Sequence, residues 1–241
     1  MAMEEVKELV KNVDGWLTNR EGELLYNLAR QCTGKGVIVE IGSWKGKSTI
    51  WLAKGSQAGR NVRVYAVDPH TGSSEHKEEF GRVWTLDEFK RNIKNAGVDG
   101  LVTPVVKTSE DAVKDFAEPV ELLFIDGAHE YELVKLDLDV WYPKVVDGGM
   151  LVFHDSFAAG PKRLLGERVF NSKTFRNAGL ADNITFAQKV GENSLFDRMR
   201  NQYIRLLKDV CQFLVSLRLP KPVRAVLKKV LTMQVKLKRR I

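Results

Sequence analysis

Five short polar segments, each following an apolar run, hold the side chains of this sequence that could carry out chemistry. The segments are Glu40–Gly46, Asp68, Lys107–Glu110, Asp126–His129 and His154–Ser156. In an open α/β sheet, ligands bind beyond the carboxyl ends of the strands. We therefore expect these segments to meet at one edge of a sheet and to form a single site.

Two acids of these segments, Asp126 and Asp155, end apolar runs that we expect to be neighbouring strands, about 5 Å apart. Carboxylate oxygens suit Mg²⁺, which could hold both oxygens of a diol and lower the pKa of one of them. His154 is a third candidate ligand of this ion. A plainer alternative is that Asp126 caps the helix that follows it.

His129 is the candidate general base, three residues after Asp126. An unperturbed imidazole titrates near ~6.5, so it could accept a hydroxyl proton at neutral pH. Without a metal, His154 could act as the base instead. The alternative for both histidines is a hydrogen-bonded strand end with no chemical role.

The loop from Gly42 to Thr49 reads Gly-x-x-x-Gly-Lys-Ser-Thr, which is close to a phosphate-binding loop. A Walker A loop needs four residues between its glycines, and this loop has three. The dinucleotide pattern is also broken, because Trp44 stands where the second glycine lets the backbone approach a pyrophosphate. A cofactor without this phosphate contact fits the loop better.

Apolar runs alternate with helical patterns between these polar segments. The predicted strands cover residues 37–41, 62–67, 101–106, 120–125 and 150–153, and the predicted helices cover 46–54, 86–96, 109–116 and 131–141. This alternation predicts a doubly wound, mostly parallel α/β sheet with helices on both faces. Residues 184–190 and 194–196 lack a crossover helix between them, so we expect them to form an antiparallel pair at one edge.

A strand that ends in Glu40, followed by Gly42-x-x-x-Gly46 and a helix, resembles the first motif of class I S-adenosylmethionine-dependent methyltransferases. Asp68 resembles the acid that holds the ribose of that cofactor. The stretches at 123–131 and 145–155 resemble metal-assisted O-methyltransferases related to the macrocin and catechol enzymes. His129 stands where the catechol-type enzymes have a lysine base.

This resemblance implies a Rossmann-like methyltransferase fold with the last strand antiparallel. It implies that S-adenosylmethionine is bound by a set of strand-end residues: Glu40, Gly42, Ser43, Gly46, Asp68, Thr108, Ser109, Glu110 and Asp126. It also implies a divalent metal at Asp126, His154 and Asp155, with His129, Asp126 and His154 as the catalytic group. The chain departs from the pattern at His154 and Ser156, where relatives often have another acid or an asparagine.

The expected reaction is O-methylation of a sugar or another polyhydroxy acceptor, either a small molecule or a lipid-linked one. N-methylation is an open alternative. A nicotinamide-dependent oxidoreductase or epimerase, and a non-catalytic membrane-peripheral protein with the same fold, are the alternatives from other classes.

Charge divides the 241-residue chain into an acidic body and a basic tail. Residues 198–241 hold 13 Lys and Arg and one acid, which leaves a net charge of −5 for residues 1–197. We expect an N-terminal helical segment (1–35), a catalytic domain (36–197) and a tail of basic amphipathic helices (198–241). Such a tail suits an anionic membrane surface or a second copy of the chain better than nucleic acid.

Two cysteines, Cys32 and Cys211, are too few and too far apart for a metal motif or a disulfide framework. The first residues show no basic segment followed by an apolar run, as a signal peptide would. We therefore expect a cytoplasmic protein, with the inner face of the membrane as the alternative location.

Overall fold

A computed structural model describes residues 3–72, 78 and 81–217 of the chain. Its seven strands are β1 (Val37–Ile41), β2 (Val64–Val67), β3 (Val102–Val105), β4 (Val120–Ile125), β5 (Val145–Phe153), β6 (Phe175–Ala181) and β7 (Ile184–Lys189). They form one sheet in the order β3-β2-β1-β4-β5-β7-β6. β1 to β5 are parallel, and β7 is antiparallel to both β5 and β6. The prediction of a doubly wound, mostly parallel sheet is confirmed.

Eight α-helices accompany this sheet within the described residues. They are α1 (Met3–Val10), α2 (Asn19–Gln31), α3 (Lys47–Gln57), α4 (Leu86–Asn95), α5 (Ser109–Lys114), α6 (Tyr131–Trp141), α7 (Ala159–Leu164) and α8 (Leu195–Ser216). A 3₁₀ turn at Tyr142–Lys144 precedes β5, and a π turn at Leu165–Phe170 follows α7.

Both faces of the sheet are covered, which explains why the central strands are continuous apolar runs. Ile38 and Phe124 point into a core formed with α1 to α4, whereas Val39 and Leu123 point into a core on the other face. All four side chains are fully buried. The strand order reverses between β1 and β4, and this reversal opens a crevice at their carboxyl ends.

The predicted antiparallel pair is wrong in one of its members. β7 at Ile184–Lys189 pairs with β6 at Phe175–Ala181, and not with residues 194–196. Ser194 instead caps α8: its hydroxyl accepts a hydrogen bond from the Asp197 N–H, and Asp197 accepts one from the Ser194 N–H. This reciprocal pair begins a helix where the sequence suggested a strand.

α8 lies on the sheet edge with Asn201 and Lys208 facing inward, both almost fully buried. Its outer side exposes large apolar residues at helical spacing: Met199, Leu206, Val210, Phe213 and Leu217. The predicted second tail helix, from Val223 onward, lies outside the described residues. Within the described ranges, every helix is too short or too polar to cross a bilayer.

Candidate active site

A cavity of about 650 Å³ lies where the strands end at the crevice. The segments after β1 to β5 line it, as predicted from their polar residues. Its lining includes Gly42, Ser43, Asp68, Thr108, Ser109, Glu110, Asp126, His129, His154 and Asp155. Glu40 and Gly46 are the predicted site residues that lie behind this lining. The volume is that of an ordinary small-molecule or cofactor pocket.

Asp68, at the end of β2, fixes the loop that follows β1. Its Oδ2 accepts hydrogen bonds from the backbone N–H groups of Ser43 and Trp44, each at 2.8 Å. Its Oδ1 accepts a third, from the N–H of His70, at 2.6 Å. Asp68 therefore holds two strand-end loops together. A bond from this carboxylate to a ribose stays a prediction.

Gly42 allows the β1 loop to lie directly against the end of β4. Its φ is +83°, and a Cβ built on it would lie 2.2 Å from the carbonyl oxygen of Asp126. No larger residue fits there without moving one of the two backbones. Gly46 has a φ of +90° and begins α3, where a Cβ would lie 3.1 Å from the Phe89 ring.

Glu40 lies beneath the loop and is fully buried. Thr49, on the first turn of α3, donates a short hydrogen bond to its Oε2. Burial raises the pKa of Glu40 to about 8, although hydrogen bonds from Ser48 and Thr49 partly oppose this rise. Glu40 is therefore mostly neutral at pH 7 and acts behind the cavity wall.

The start of α5 forms a further part of the cavity wall. Thr108 caps this helix by accepting a hydrogen bond from the N–H of Asp111. The Ser109 hydroxyl accepts a hydrogen bond from the Trp141 indole at 2.9 Å. Burial raises the pKa of Asp137 to about 6, and a hydrogen bond with Ser109 opposes that rise. Thr108 and Glu110 are exposed in this part of the wall.

His154 lies in the centre of a cluster of acids. Its Nδ1 is 2.9 Å from both Asp126 Oδ1 and Asp155 Oδ2, and its Nε2 is 3.6 Å from Glu21 Oε2. Burial opposes a charge on this ring, but the carboxylates outweigh burial and raise the pKa of His154 to about 12. His154 is therefore a buried imidazolium between three acids.

Asp155 connects this cluster to His129. The Nε2 of His129 is 2.8 Å from Asp155 Oδ2, and the side-chain amide of Asn183 donates to Asp155 Oδ1 at 2.6 Å. Burial would raise the pKa of Asp155, but the hydrogen bonds of the two histidines hold it well below its usual range. Asp155 is thus an ionised acid that orients His129.

The three predicted metal ligands are close together, but their atoms are already paired with one another. Each of these residues offers one possible ligand atom, and the three atoms lie within 4.8 Å of one another. The nitrogen that would bind a metal is the Nδ1 that bonds both carboxylates, and the protonated ring has no lone pair to offer. In this arrangement His154 is the cation between the two acids. The three residues form a group that could hold a metal ion, and the metal stays a prediction.

Several residues of the site were missed by the sequence reasoning. Glu21 and Asn183 complete the acid and amide contacts of the cluster, and the loop Asp14–Leu17 forms one cavity wall. The Thr18-x-x-Glu21 pattern was a signal for Glu21, because it is a capping box. Nothing in the sequence links Asn183, in the turn between β6 and β7, to Asp155.

Aromatic residues near the cavity fall into two groups. The Trp16 and Trp44 rings lie 5.6 Å apart, and both line the cavity. Trp84 is 55% exposed, is absent from this lining and bonds Asp87 instead.

Solved O-methyltransferases have the same fold. NovP has 19% identity and a TM-score of 0.65, over 78% of this chain and 88% of its own. TomG of Streptomyces achromogenes, in complex with S-adenosylmethionine (SAM), has 18% identity and a TM-score of 0.56, over 78% and 89%. An enzyme of Bacillus cereus, in complex with S-adenosylhomocysteine (SAH), has 19% identity and a TM-score of 0.55, over 78% and 90%.

Two curated relatives match parts of the chain, and both are described as uncharacterized. Protein y4gI of Sinorhizobium fredii is 29% identical over 120 residues, which are 49% of this chain and 13% of the relative. Protein R132 of Acanthamoeba polyphaga mimivirus is 26% identical over 159 residues, 64% of this chain and 67% of the relative. The chain thus spans a small part of the first relative and about two thirds of the second.

The seven-stranded sheet with a cavity at its strand ends is the fold of the solved O-methyltransferases. Residues 39–156 match the family model described as a methyltransferase domain. These residues run from β1 to just beyond Asp155, so they include every predicted site residue. The prediction of a methyltransferase domain is confirmed for this part of the chain.

Proposed function

We propose that this enzyme transfers the methyl group of SAM to a hydroxyl oxygen of a small acceptor. The observation that carries this proposal is the paired His129 and Asp155 at the wall of the strand-end cavity. An acid that orients a histidine is the arrangement needed for removal of a hydroxyl proton. The O-methyltransferases NovP and TomG, which share the fold, support the choice of oxygen.

The volume of the cavity and its polar lining support SAM as the cofactor. Gly42 brings the β1 loop against the end of β4. We assign the methionine end to Ser43 and Asp126, the ribose to Asp68 and the adenine to the start of α5. When bound, SAM supplies an activated methyl group, and the carboxylates along the cavity suit its positive sulfonium.

Proton removal is assigned to Nδ1 of His129. Its Nε2 faces Asp155 at 2.8 Å, so the proton of the neutral ring is placed on Nε2 and the lone pair on Nδ1. The acceptor hydroxyl would give its proton to Nδ1 while its oxygen takes the methyl group, which leaves SAH and a methyl ether. Asp155 then stabilises the imidazolium. His154 is held as a fixed cation and does not act as a base in this scheme.

The acceptor class we propose is a sugar or another polyhydroxy compound. The Trp16 and Trp44 rings form an aromatic wall beside the predicted methionine end of the cavity. Aromatic faces bind the apolar faces of sugar rings, while Asp14 and Lys47 at the same wall can bond hydroxyl groups.

Calorimetric titration with SAH tests the cofactor site. We expect saturable binding to the native protein, at least ~10-fold weaker for Asp68→Ala. The matched control is Asp115→Ala, an exposed acid outside the cavity lining, which should leave the affinity unchanged. Native protein that binds no SAH, or that binds NAD instead, would overturn the assignment.

His129→Asn tests the base separately from the cofactor. With a set of polyhydroxy acceptors and radiolabelled SAM, we expect methyl transfer to fall by ~10²–10⁴-fold while SAH affinity is kept. An unchanged rate in His129→Asn would assign the base elsewhere.

We further propose that the basic tail brings the enzyme to an anionic membrane surface, where a lipid-linked acceptor would be available. The net charge of +12 in residues 198–241 and the exposed apolar side of α8 support this location. Such a combination of charge and apolar surface is typical of interfacial helices.

A further inference from the structure

A second cavity, of about 640 Å³, lies between α7, the π turn and α8, away from the methyl-transfer cavity. Four cations and two acids line it: Lys162, Arg163, Arg205 and Lys208, with Glu167 and Asp209. It shares no lining residue with the first cavity. The methyltransferase reaction gives no reason for this concentration of positive charge.

Lys208 is the most unusual of these cations, because its side chain is only 2% exposed. Its ammonium donates to Thr185 Oγ1 at 3.1 Å and lies 5.1 Å from the centre of the Phe157 ring. Among the described residues it has no carboxylate partner. An ammonium has three N–H donors, and a buried charge without a counter-ion is costly.

The acids of this cavity are paired with other cations. Lys162 lies 3.1 Å from Asp209, and Arg163 lies 2.9 Å from Glu167. Arg205 has a neutral partner, the side-chain carbonyl of Asn171 at 3.4 Å. Lys208 and Arg205 are therefore two basic side chains that line one cavity and have no acid partner within the described part of the chain.

The ionisation of Lys208 agrees with this geometry. Burial lowers the pKa of Lys208 to about 7, and the nearby charge of Lys162 lowers it further, against a smaller opposing effect of Asp209. An anion in the cavity would favour the charged form of this lysine. The π turn widens the helix beside it, and π turns are frequent at functional sites.

We propose that this cavity binds a phosphoryl group, held by Lys208 and Arg205. The planar guanidinium can bond two phosphate oxygens at once, and the ammonium supplies a compact charge with donors to spare. The same chemistry is offered by a free phosphate or phosphate ester and by the headgroup of an anionic lipid. Phe157, beside Lys208, lies two residues after Asp155, so the site adjoins the catalytic loop.

Titration of the full-length protein with inorganic phosphate, followed by calorimetry and thermal unfolding, tests the free-phosphate source. We expect saturable binding and a raised melting temperature, with at least ~10-fold weaker binding in Lys208→Met and in Arg205→Gln. Lys208→Met also tests folding: without phosphate it should melt no lower than the native protein, because it replaces a buried unpaired charge with an apolar chain. Lys107→Met, an exposed lysine elsewhere, is the control and should bind phosphate normally.

Flotation with vesicles of phosphatidylcholine containing phosphatidic acid tests the lipid source, with pure phosphatidylcholine as the blank. Vesicle binding that both variants weaken, without binding of free phosphate, assigns the site to a lipid headgroup. Equal binding of either probe by native protein, Lys208→Met and Arg205→Gln would overturn the proposal. So would the absence of binding to both probes. SAH affinity, measured alongside, reports on the methyltransferase site independently.

Discussion

Burial is the largest influence on the charge of Glu40, which lies behind the cavity wall. Its pKa of about 8, against 4.5 for the free side chain, means that folding holds a proton which the unfolded chain releases. A raised acid pKa favours the folded state at low pH and loses that benefit as pH rises. Stability should therefore fall by roughly 1.4 kcal/mol per pH unit between about pH 5 and 8 because of this group.

Glu40→Gln should remove that slope, because the amide keeps an oxygen for Thr49 and has no proton to lose. Urea unfolding at pH 6 and pH 8 measures the effect: the loss of stability over this interval should be smaller in the variant by on the order of 2–3 kcal/mol. Glu192→Gln, at an exposed site, should leave the slope unchanged. Parallel pH profiles for native protein and Glu40→Gln would mean that Glu40 is ionised at neutral pH.

A comparison of alanine substitutions at Gly42 and Gly97 distinguishes the energetic cost of backbone strain from that of steric overlap. Both have a positive φ, but a Cβ at Gly97 meets nothing within 4 Å, whereas at Gly42 it lies 2.2 Å from the Asp126 carbonyl. Alanine at Gly97 should cost about 1–2 kcal/mol in unfolding free energy. Gly42→Ala should cost clearly more and should weaken SAH binding, which Gly97→Ala leaves intact. Equal losses of unfolding free energy in the two variants would mean that the contact between Gly42 and the Asp126 carbonyl adds no steric cost.

The position of His154 between Asp126 and Asp155 predicts the response to metals. Because the imidazolium occupies the place of a cation, native protein should bind Mn²⁺ weakly, and a chelator should not change its SAH affinity. His154→Asn frees the two carboxylates and should bind Mn²⁺ at least ~10-fold more tightly. Calorimetry measures both. Micromolar Mn²⁺ binding by native protein that Asp155→Asn abolishes would restore the predicted metal site.

At the scale of the elements, the sequence was sufficient wherever a strand is buried on both faces. β4 and α6 have the predicted limits, because continuous apolar runs and helical spacing are strong signals. β6 was missed since it lies at the sheet edge and contains polar and small residues, Arg176, Asn177 and Gly179. Edge strands follow no simple apolar pattern, so their positions depend on what packs against them.

The candidate site was predictable for a similar reason. The topology of a parallel sheet brings all strand ends to one edge, so Asp68, Asp126 and Asp155 could be placed together from order alone. The contacts of Glu21 and Asn183 with the cluster were not predictable, because they depend on the packing of α2 and of the β6–β7 turn. The charge of His154 was missed for the same reason.

Asn201 connects α8 to the sheet edge, so its replacement tests how this helix is held on the sheet. Its amide donates to the Phe175 carbonyl at 2.8 Å, and its oxygen accepts from the Ala178 N–H at 3.2 Å, both on β6. Asn201→Ala leaves the buried Ala178 N–H without this partner, while the Phe175 carbonyl keeps a hydrogen bond from Asn193, so we expect a loss of about 1–3 kcal/mol. Chemical denaturation measures it, with the exposed Met199→Ala as control at near zero. A loss of stability no larger than that of the control would mean that α8 is held on the sheet by other contacts.

Across the whole molecule, charge is segregated: the body is acidic and residues 198–241 are strongly basic. Even charge mixing favours solubility, whereas a concentrated basic segment favours binding to an anionic partner. The acidic cavity and the basic tail therefore have separate electrostatic roles. Salt should screen the binding of the basic tail to an anionic surface and affect the buried His154 cluster little.

This separation predicts the behaviour of a full-length variant in which tail bases are replaced by glutamine. The replaced residues are Lys228, Lys229, Lys236, Lys238, Arg239 and Arg240. Each basic residue near an anionic surface contributes about 1 kcal/mol. The variant should therefore bind vesicles containing phosphatidylglycerol at least ~100-fold more weakly than native protein at low salt.

A control with six exposed body residues changed to glutamine carries the same loss of charge. These residues are Lys11, Lys35, Arg60, Lys94, Lys107 and Lys114. This control should still bind vesicles if the position of the basic residues, and not the total charge, determines membrane binding. Both variants should keep the SAH affinity of the native protein. Light scattering on the same samples gives their mass. A stable dimer that binds no vesicles would assign the exposed side of α8 to a second copy of the chain, because helix packing would then bury the residues that a membrane was expected to cover.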